Sequence, residues 1–376
     1  MTGRERLMAA IRHQEPDRVP ISPRYHAWLI SEYGRGVPLE RVRDEIFPHL
    51  DFMHIIGSPT PNYIYSCRDE YNLPEVEVEQ KRYEEGEYEV VERTFRTPAG
   101  ELSDRTKIPP SGREFGVSPN PIRTEHLIKH REDLDRIPYI MPEISTNFDP
   151  YHRAKEIIGD RGIVMVCIRS ALDHHAGDAC DMQDIMMDYY DDRAFFDDLL
   201  GYFHDHSLRE MKAALEAGVE AIFGSWYFNS VSSGWSPAMY EEIFVPQIRD
   251  HVELAHSYDA LYDLYDDGKL ADTMEMIADT GIDVLETCTP PPVGDFDLRE
   301  AKEKIGETTT IKGYVDLLYV VKHGDPELIE QTIAEAMEIA KPGGGFIIGT
   351  SDSFREGTPE ENMAAYWEAC LEYGQY

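Results

Sequence analysis

The sequence predicts an α/β fold, a closed (β/α)8 TIM barrel with an inserted β-hairpin and an N-terminal helix. Three observations support this prediction. Short apolar runs recur along the chain, helix-length amphipathic stretches lie between most of them, and one pair of alternating segments interrupts this order. Strands that alternate with helices are typical of a parallel sheet, and eight such strands favour a closed barrel over an open sheet. We expect one domain over residues 1–376.

The eight predicted strands are apolar segments that begin after a charged or glycine-rich turn and end in polar residues. They are Arg18–Ser22, Phe52–Ile56, Ile163–Ile168, Ala221–Gly224, Ala260–Tyr265, Val284–Thr287, Thr310–Gly313 and Phe346–Gly349. No G-x-G-x-x-G motif follows the first strand, which disfavours a dinucleotide-binding fold.

The predicted helices are amphipathic segments with recognisable ends. Apolar residues recur at steps of three and four in Phe195–Glu216. Pro237–Ser257 and Pro326–Ala340 each begin with proline, which is favoured at the first helical position. Leu270–Thr280 ends at Gly281, a residue that commonly terminates a helix.

The inserted hairpin is predicted over about residues 88–107. Side chains alternate there in character on both sides of a Pro-Ala-Gly turn, which is the pattern of two antiparallel strands. A segment rich in proline, glycine and serine follows over Pro109–Pro121, and we expect it to form a loop.

Composition and charge exclude several classes of protein. The chain carries 36 basic and 72 acidic side chains, a net charge of −36, which would repel nucleic acid and anionic membranes. The longest apolar runs, Gly162–Ile168 and Gly345–Gly349, are too short to span a bilayer. The amino-terminal segment has no apolar core of a signal peptide, and the five cysteines form no C-x-x-C pair. We therefore expect a reduced, cytoplasmic location.

Candidate functional residues follow the predicted strands, because chemistry in such barrels is built from the loops after the strands. The substrate-binding candidates are Arg24, His26, Trp28, Arg169, Trp226, Tyr227 and Tyr265. The catalytic candidates, which could move protons or orient a substrate, are His174, His175, Asp267 and Glu286. Two alternatives stay open: the aromatic residues could pack the top of the barrel, and the histidines could face solvent or cap a loop.

A metal site is a further candidate at the same strand ends. Asp267, Cys288 and Asp352 follow three different strands, and oxygen and sulfur ligands with an open position would suit a catalytic zinc ion. The alternative is structural. Asp267 could cap the next helix beside Gly268, and Cys288 could pack as a small apolar residue.

Several short motifs are similar to those of one superfamily and occur here in the same order. They are R-E-R-L-x-x-A-I-x-x-x-x-P-D-R-V-P over Arg4–Pro20, Ser236-Pro237-x-Met239-Tyr240 with Pro246, Thr280–Asp283, Lys312-Gly313-x-Val315-Asp316, Gly343–Ile347 and Thr358–Asn362. In these the chain resembles the uroporphyrinogen decarboxylase superfamily and, within it, the corrinoid-dependent methyltransferase branch. The resemblance runs nearly end to end and implies a (β/α)8 barrel.

Some residues of this chain differ from the superfamily patterns, and these differences reduce the number of activities that the resemblance implies. Porphyrinogen decarboxylases hold carboxylates with amino-terminal arginines, of which only Arg24 is present, and Asp352 replaces a histidine of the strand-eight loop. The coenzyme M branch holds zinc through His-x-Cys and a later Cys, and these positions fall on Tyr265, Asp267 and Asp352. A donor set with carboxylates suits an ether oxygen better than a thiol.

The resemblance therefore implies an O-demethylase-like methyltransferase. It would move a methyl group from a small methylated substrate, such as an aromatic methyl ether, to the corrinoid (cobalamin) cobalt of a partner corrinoid protein. Zinc is a second implied cofactor, and a homodimer is left open. Two alternatives also stay open: a lyase that decarboxylates a non-porphyrin acid, and a non-catalytic barrel that binds a tetrapyrrole.

Overall fold

The structure, a computed structural model, describes residues 1–111 and 119–376, which form two compact units. Unit 1 comprises Met1–Gly57, Asn147–Ile168 and Ala214–Tyr376, and unit 2 comprises Ser58–Thr146 and Arg169–Ala213. The single domain expected from the sequence stays a prediction.

The strands of the described residues are β1 (Phe52–Gly57), β2 (Glu77–Glu85), β3 (Tyr88–Thr97), β4 (Gly100–Ile108), β5 (Ile122–Glu125), β6 (Gly162–Arg169), β7 (Ala221–Ser225), β8 (Leu261–Tyr265), β9 (Val284–Thr287), β10 (Thr310–Val315) and β11 (Phe346–Thr350). The α-helices are α1 (Gly3–Ile11), α2 (His26–Tyr33), α3 (Leu39–Arg41), α4 (Ile137–Ile140), α5 (Asp149–Ile158), α6 (Gly177–Ala179), α7 (Met182–Asp191), α8 (Arg193–Glu216), α9 (Pro237–Met239), α10 (Val245–His256), α11 (Met274–Ala278), α12 (Leu298–Lys304), α13 (Pro326–Ala340) and α14 (Glu360–Tyr373). Shorter 3-10 or π-helical segments lie at Val42–Ile46, Arg131–Arg136, Gly159–Arg161, Leu172–Ala176, Tyr227–Asn229, Val231–Ser233, Tyr240–Phe244 and Leu317–Lys322.

Unit 1 is built around a parallel sheet with the strand order β1-β6-β7-β8-β9-β10-β11. Each strand lies within two residues of its predicted position. The strands are mostly apolar because helices and the barrel interior bury both faces, and all five residues of β11 are buried. The prediction of an α/β barrel is confirmed.

The first predicted strand, Arg18–Ser22, is not a regular strand but an extended segment that joins the two edges of this sheet. On one side the Ser22 N–H donates to Ile348 O of β11 at 2.8 Å. On the other side the Asp51 N–H, directly before β1, donates to Ile21 O at 2.9 Å. Regular pairing is limited to isolated bridges, one of them Ile21 with Ile348. The segment therefore serves as the eighth member of the barrel.

Apolar side chains fill the barrel interior toward the amino ends of the strands. Their cluster includes Met53 from β1, Ile163 from β6 and Ile347 from β11, and α1 contributes Leu7 and others to it. Helix α1 therefore closes this end of the barrel, which leaves the opposite end for polar chemistry.

Two long predicted helices are confirmed as α8 and α13. The helix predicted over Pro237–Ser257 is divided into α9, a π-helical segment and α10, and a further predicted helix is shorter than expected. In α13, Asp325 caps the first turn by accepting the Leu328 N–H at 2.9 Å, as expected for a helix that begins with proline. The segment predicted as Leu270–Thr280 is helical only over Met274–Ala278. Its first N–H groups donate to the Asp295 carboxylate instead, with Leu270 at 2.8 Å, and so form a turn.

The β-hairpin predicted over about residues 88–107 is present in unit 2 as β3 and β4, but it belongs to a larger antiparallel sheet with the order β2-β3-β4-β5. A buried ion pair stabilises this sheet: Arg93 Nε donates to Asp104 Oδ1 at 2.9 Å, and both side chains are fully buried. The loop predicted over Pro109–Pro121 falls mostly on residues 112–118, outside the described residues.

Within the part of the chain that the structure describes, none of the helices combines the length and the apolar character that crossing a bilayer requires.

Candidate functional site

Three neighbouring strands of unit 1 carry charged side chains in the barrel interior. Asp263 of β8, Glu286 of β9 and Lys312 of β10 are each at most 2% exposed. Strand register pairs Glu286 with Tyr265 on one side and with Lys312 on the other. Lys312 Nζ donates to Glu286 Oε2 and lies 3.8 Å from Asp263 Oδ2. Buried charges persist only when they are paired, and Glu286 and Lys312 satisfy this condition for each other.

Arg24 adds a second cation to this interior group. Its guanidinium carbon lies 4.4 Å from the centre of the Tyr265 ring and 5.1 Å from that of Phe223, and its Nε lies 3.7 Å from Glu286 Oε1. Burial lowers the pKa of Arg24, but Glu286, Tyr265 and Asp352 together raise it by more. The guanidinium is therefore charged, in contact with aromatic faces and close to a carboxylate that also binds Lys312.

Two buried carboxyl groups in this region favour the protonated form. Burial raises the pKa of Asp263, with Lys312 opposing and Glu286 adding to the rise, and neither carboxyl oxygen has a hydrogen-bond partner. Burial also raises the pKa of Asp266 to about 7. The Tyr240 hydroxyl donates to Asp266 Oδ2 at 3.0 Å, while Oδ1 has no partner. Both residues are therefore potential proton donors rather than permanent anions.

Asp267 and Asp352 lie at the partly exposed rim of the same group. Burial, and then Asp352, raise the pKa of Asp267, while Arg24 lowers it. Asp352 Oδ1 accepts the Ser353 N–H at 2.6 Å, and its other oxygen accepts from Arg355. The structure thus brings five predicted site residues into one electrostatic group: Arg24, Tyr265, Asp267, Glu286 and Asp352.

The predicted metal ligands Asp267, Cys288 and Asp352 do not converge. Cys288 is fully buried, its Sγ donates to Leu285 O at 3.3 Å, and burial raises its thiol pKa well above the usual value. Among the described residues, the donor atoms of these three side chains do not all come within 4.8 Å of one another. These three side chains therefore do not form a zinc site, because burial disfavours the thiolate form of Cys288 and the donor atoms lie too far apart to share one ion.

The predicted aromatic residues do not form a common stacking surface. Trp226 is fully buried and its Nε1 donates to the Tyr262 hydroxyl at 2.9 Å beside α10, whereas Tyr227 is 41% exposed. Trp28 packs against Phe47, with ring centres 5.7 Å apart. His26 stacks on the Tyr25 ring at 4.7 Å, and burial lowers its pKa to about 4. Of the predicted aromatic side chains, Tyr265 is the one that joins the charged group.

The remaining predicted residues lie in unit 2. His174 Nδ1 is 2.9 Å from Asp178 Oδ2, and the Arg169 guanidinium lies 5.9 Å from the centre of the Tyr65 ring. The ring of His175 is buried and stacks on Phe203 at 5.7 Å.

His175 belongs to a second group, together with His206 and Glu210 of α8. Burial lowers the pKa of both histidines, that of His206 to about 4, and raises that of Glu210, which Ser58 opposes by hydrogen bonding. His206 and Glu210 were not predicted from the sequence. The sequence pattern that could have revealed these two residues is their spacing, since they stand four residues apart on the buried face of a long amphipathic helix.

Lys312 and Asp263 were also missed. Both interrupt strands that are otherwise apolar, and a charge in the middle of such a strand indicates a buried, paired group.

Comparison with known proteins gives consistent results at the level of family and fold. A family model described as "Uroporphyrinogen decarboxylase (URO-D)" matches residues 113–373. The chain is 29% identical over 185 residues to the chloroplastic uroporphyrinogen decarboxylase of Zea mays, which is 48% of this chain and 43% of that protein. It is 28% identical over 178 residues to uroporphyrinogen decarboxylase of Prochlorococcus marinus (strain MIT 9211), 46% of each chain. It thus spans less than half the length of these curated relatives.

Among solved structures, a methyltransferase from Methanosarcina mazei is similar over 99% of both chains, with a TM-score of 0.64 and 16% identity. At this identity, the likeness concerns the fold.

Proposed function

Because the chain belongs to the uroporphyrinogen decarboxylase (URO-D) family, we propose that it is a corrinoid-dependent methyltransferase of that superfamily. Its substrate is a small methyl ether, and the methyl group passes to the cobalt of a separate corrinoid protein. The observation that carries this proposal is the carboxylate-rich group in unit 1, in which two cations, Arg24 and Lys312, already lie beside Glu286.

This charge distribution disfavours a polycarboxylate substrate. Such a substrate needs guanidinium or ammonium groups that are free to bind it. Here four carboxyl groups lie around the two cations: Asp263, Asp267, Glu286 and Asp352. An uncharged methyl ether avoids the repulsion that a porphyrinogen with several carboxylates would meet.

A methyl ether substrate also needs a proton donor, and this group of carboxyl side chains contains one. When its methyl–oxygen bond breaks, the oxygen takes the bonding electron pair and becomes a poor leaving group unless it receives a proton. Asp267 combines a raised carboxyl pKa with partial exposure, so it can hold a proton and still reach a substrate. We assign Asp267 as the proton donor. The Arg24–Tyr265 pair beside it is the surface that orients the methyl ether substrate.

The reaction balances without an oxidant. The reduced corrinoid of the partner protein would supply the cobalt electron pair that forms the new bond to the methyl carbon. The ether oxygen leaves with the proton of Asp267 as an alcohol or phenol. The Asp267 carboxylate then recovers a proton from solvent, which its partial exposure allows.

The proposal also includes the cellular location of the protein and its partner protein. None of the described cysteines forms a disulfide, as is typical of a reducing compartment, and we propose a cytoplasmic location. The partner is a corrinoid protein, and the strongly acidic chain would attract a basic surface on it.

The test is a methyl-transfer screen with a panel of methyl ethers and chemically reduced cobalamin, followed by the absorbance of methylcobalamin. We expect transfer by the wild type and a loss of about 100-fold or more in Asp267→Asn, the range typical of a general acid. Asp272→Asn, an exposed acid five positions away, is the matched control and should keep full activity. Release of carbon dioxide from an acid substrate without any methyl transfer would replace this proposal with the lyase alternative.

A further inference from the structure

Unit 2 contains three metal-ligand side chains at one point. His206 and Glu210 stand four residues apart on α8, and the helical period therefore places them on the same face. His175 reaches the same point from the segment Leu172–Ala176, which follows β6. One donor atom from each of the three side chains lies within 4.8 Å of those from the other two.

The burial of these groups is unusual for polar side chains. His175 and His206 are each 3% exposed and Glu210 is 6% exposed. The Nε2 atom of His175 is buried without a hydrogen-bond partner. Buried polar atoms are rarely left without a partner, and an unpaired one is a common sign of a missing ion or water.

Neighbouring side chains hold two of the three groups in place. Ser58 Oγ donates to Glu210 Oε1, and the His175 ring stacks almost parallel on Phe203, at an angle of 6°. Asn62 Nδ2 approaches His175 Nδ1 at 3.4 Å, longer than an ordinary hydrogen bond, and it therefore fixes the tautomer only weakly. Metal ligands are typically oriented by such surrounding contacts.

We propose that His175, His206 and Glu210 bind a divalent transition-metal cation, with zinc the best match. Two imidazoles and one carboxylate are the donor set of catalytic zinc sites, which keep a further coordination position open. A cleft of about 420 Å³, lined by His206, Tyr202 and Arg209, borders the site on the side of His206.

The charges around the site indicate the class of the fourth ligand. A divalent cation with one carboxylate ligand has a net charge of about +1. Two further positive charges lie nearby, since Arg169 interacts electrostatically with His175 and Arg209 with His206. An anionic oxygen ligand, such as hydroxide, an alkoxide or a carboxylate, is therefore favoured there. This site does not depend on the methyl-transfer proposal.

The experiment measures metal binding directly. The full-length protein is treated with a chelator and then titrated with Co²⁺, whose visible absorption bands report its coordination by nitrogen and oxygen, and Zn²⁺ is used to displace it. We expect about one Co²⁺ per chain with bands of a low-coordinate site, displacement by Zn²⁺, and a higher melting temperature with metal than without it.

Variants test the assignment of the ligands. Glu210→Gln keeps the size of the side chain, and His206→Ala removes an imidazole; both should weaken Co²⁺ binding by about 100-fold or more, beyond the range seen when only a supporting partner is lost. The exposed His152→Ala is the control and should bind like the wild type. If the wild type binds no Co²⁺ or Zn²⁺, or if a folded Glu210→Gln binds Co²⁺ with unchanged affinity and spectrum, the proposal is wrong. Neither result depends on a methyl-transfer assay.

Discussion

The substitution Asp266→Asn should change how the stability of the protein depends on pH. Asp266 is fully buried, and burial raises its pKa from 3.8 to about 7 despite the hydrogen bond from Tyr240. In the unfolded chain the same carboxyl group ionises near its ordinary value. Between these two pH values, the folded protein therefore holds a proton that the unfolded chain has lost.

This difference in bound protons determines how the free energy of unfolding changes with pH. Because the unfolded state binds fewer protons between pH 3.8 and about 7, raising the pH through this range favours unfolding. A difference of roughly 3 in pKa, at 1.36 kcal/mol each, corresponds to about 4 kcal/mol of stability lost between the acid end and pH 8. An asparagine at this position keeps the shape of the side chain but cannot ionise, so this loss disappears.

Urea unfolding of both proteins at a series of pH values measures the effect. Contributions from other titrating groups cancel in the difference between the two proteins, provided that those groups do not interact with Asp266. We expect Asp266→Asn to gain about 4 kcal/mol relative to the wild type on going from pH 4 to pH 8. Parallel stability profiles would mean that Asp266 ionises at the same pH in the folded and unfolded protein, and that burial does not raise its pKa.

Two further predictions concern the fold. Arg93→Met should lower the free energy of unfolding by about 3–5 kcal/mol, because it leaves the buried Asp104 carboxylate with one cation fewer; the exposed Arg96→Met should change it by less than about 1 kcal/mol in the same urea titration. Gly313→Ala should lower the melting temperature, since its φ is +120° and an added Cβ would lie 2.0 Å from Thr287 O. An unchanged melting temperature would contradict this geometry.

Much of the fold could be predicted because hydrophobic pattern and burial coincide. The strands of unit 1 are short apolar runs, and their burial on both faces produced that pattern. The antiparallel sheet of unit 2 was harder to predict. Strand β2 reads Glu-Val-Glu-Gln-Lys-Arg-Tyr-Glu-Glu and is mostly exposed, so its residues carry no apolar signal. It forms through main-chain pairing with β3, which a local pattern does not reveal.

The candidate site was predicted in part for a related reason. Strand ends identified Arg24, Asp267 and Glu286, because loops after parallel strands meet at one end of a barrel. They did not reveal which way each side chain points. Trp226 follows the last residue of β7 and is buried beside α10, although its position in the chain resembles that of a site residue.

The group of His175, His206 and Glu210 illustrates a different limit. Two of its members share a helix, but the third comes from a segment about 30 residues earlier, where Asp173 and His174 leave helical geometry. Only the folded chain brings these residues together.

An isotope-labelled methyl carbon, followed from a methyl ether, tests the proposed methyl transfer most directly. We expect the label to appear on cobalt in the presence of the wild-type protein, in a one-to-one ratio with the released alcohol or phenol. We also expect Asp267→Asn to lower the formation of both products by about 100-fold or more. A label that stays on the ether with every methyl donor, while an acid substrate loses carbon dioxide, would contradict methyl transfer as the activity of this protein.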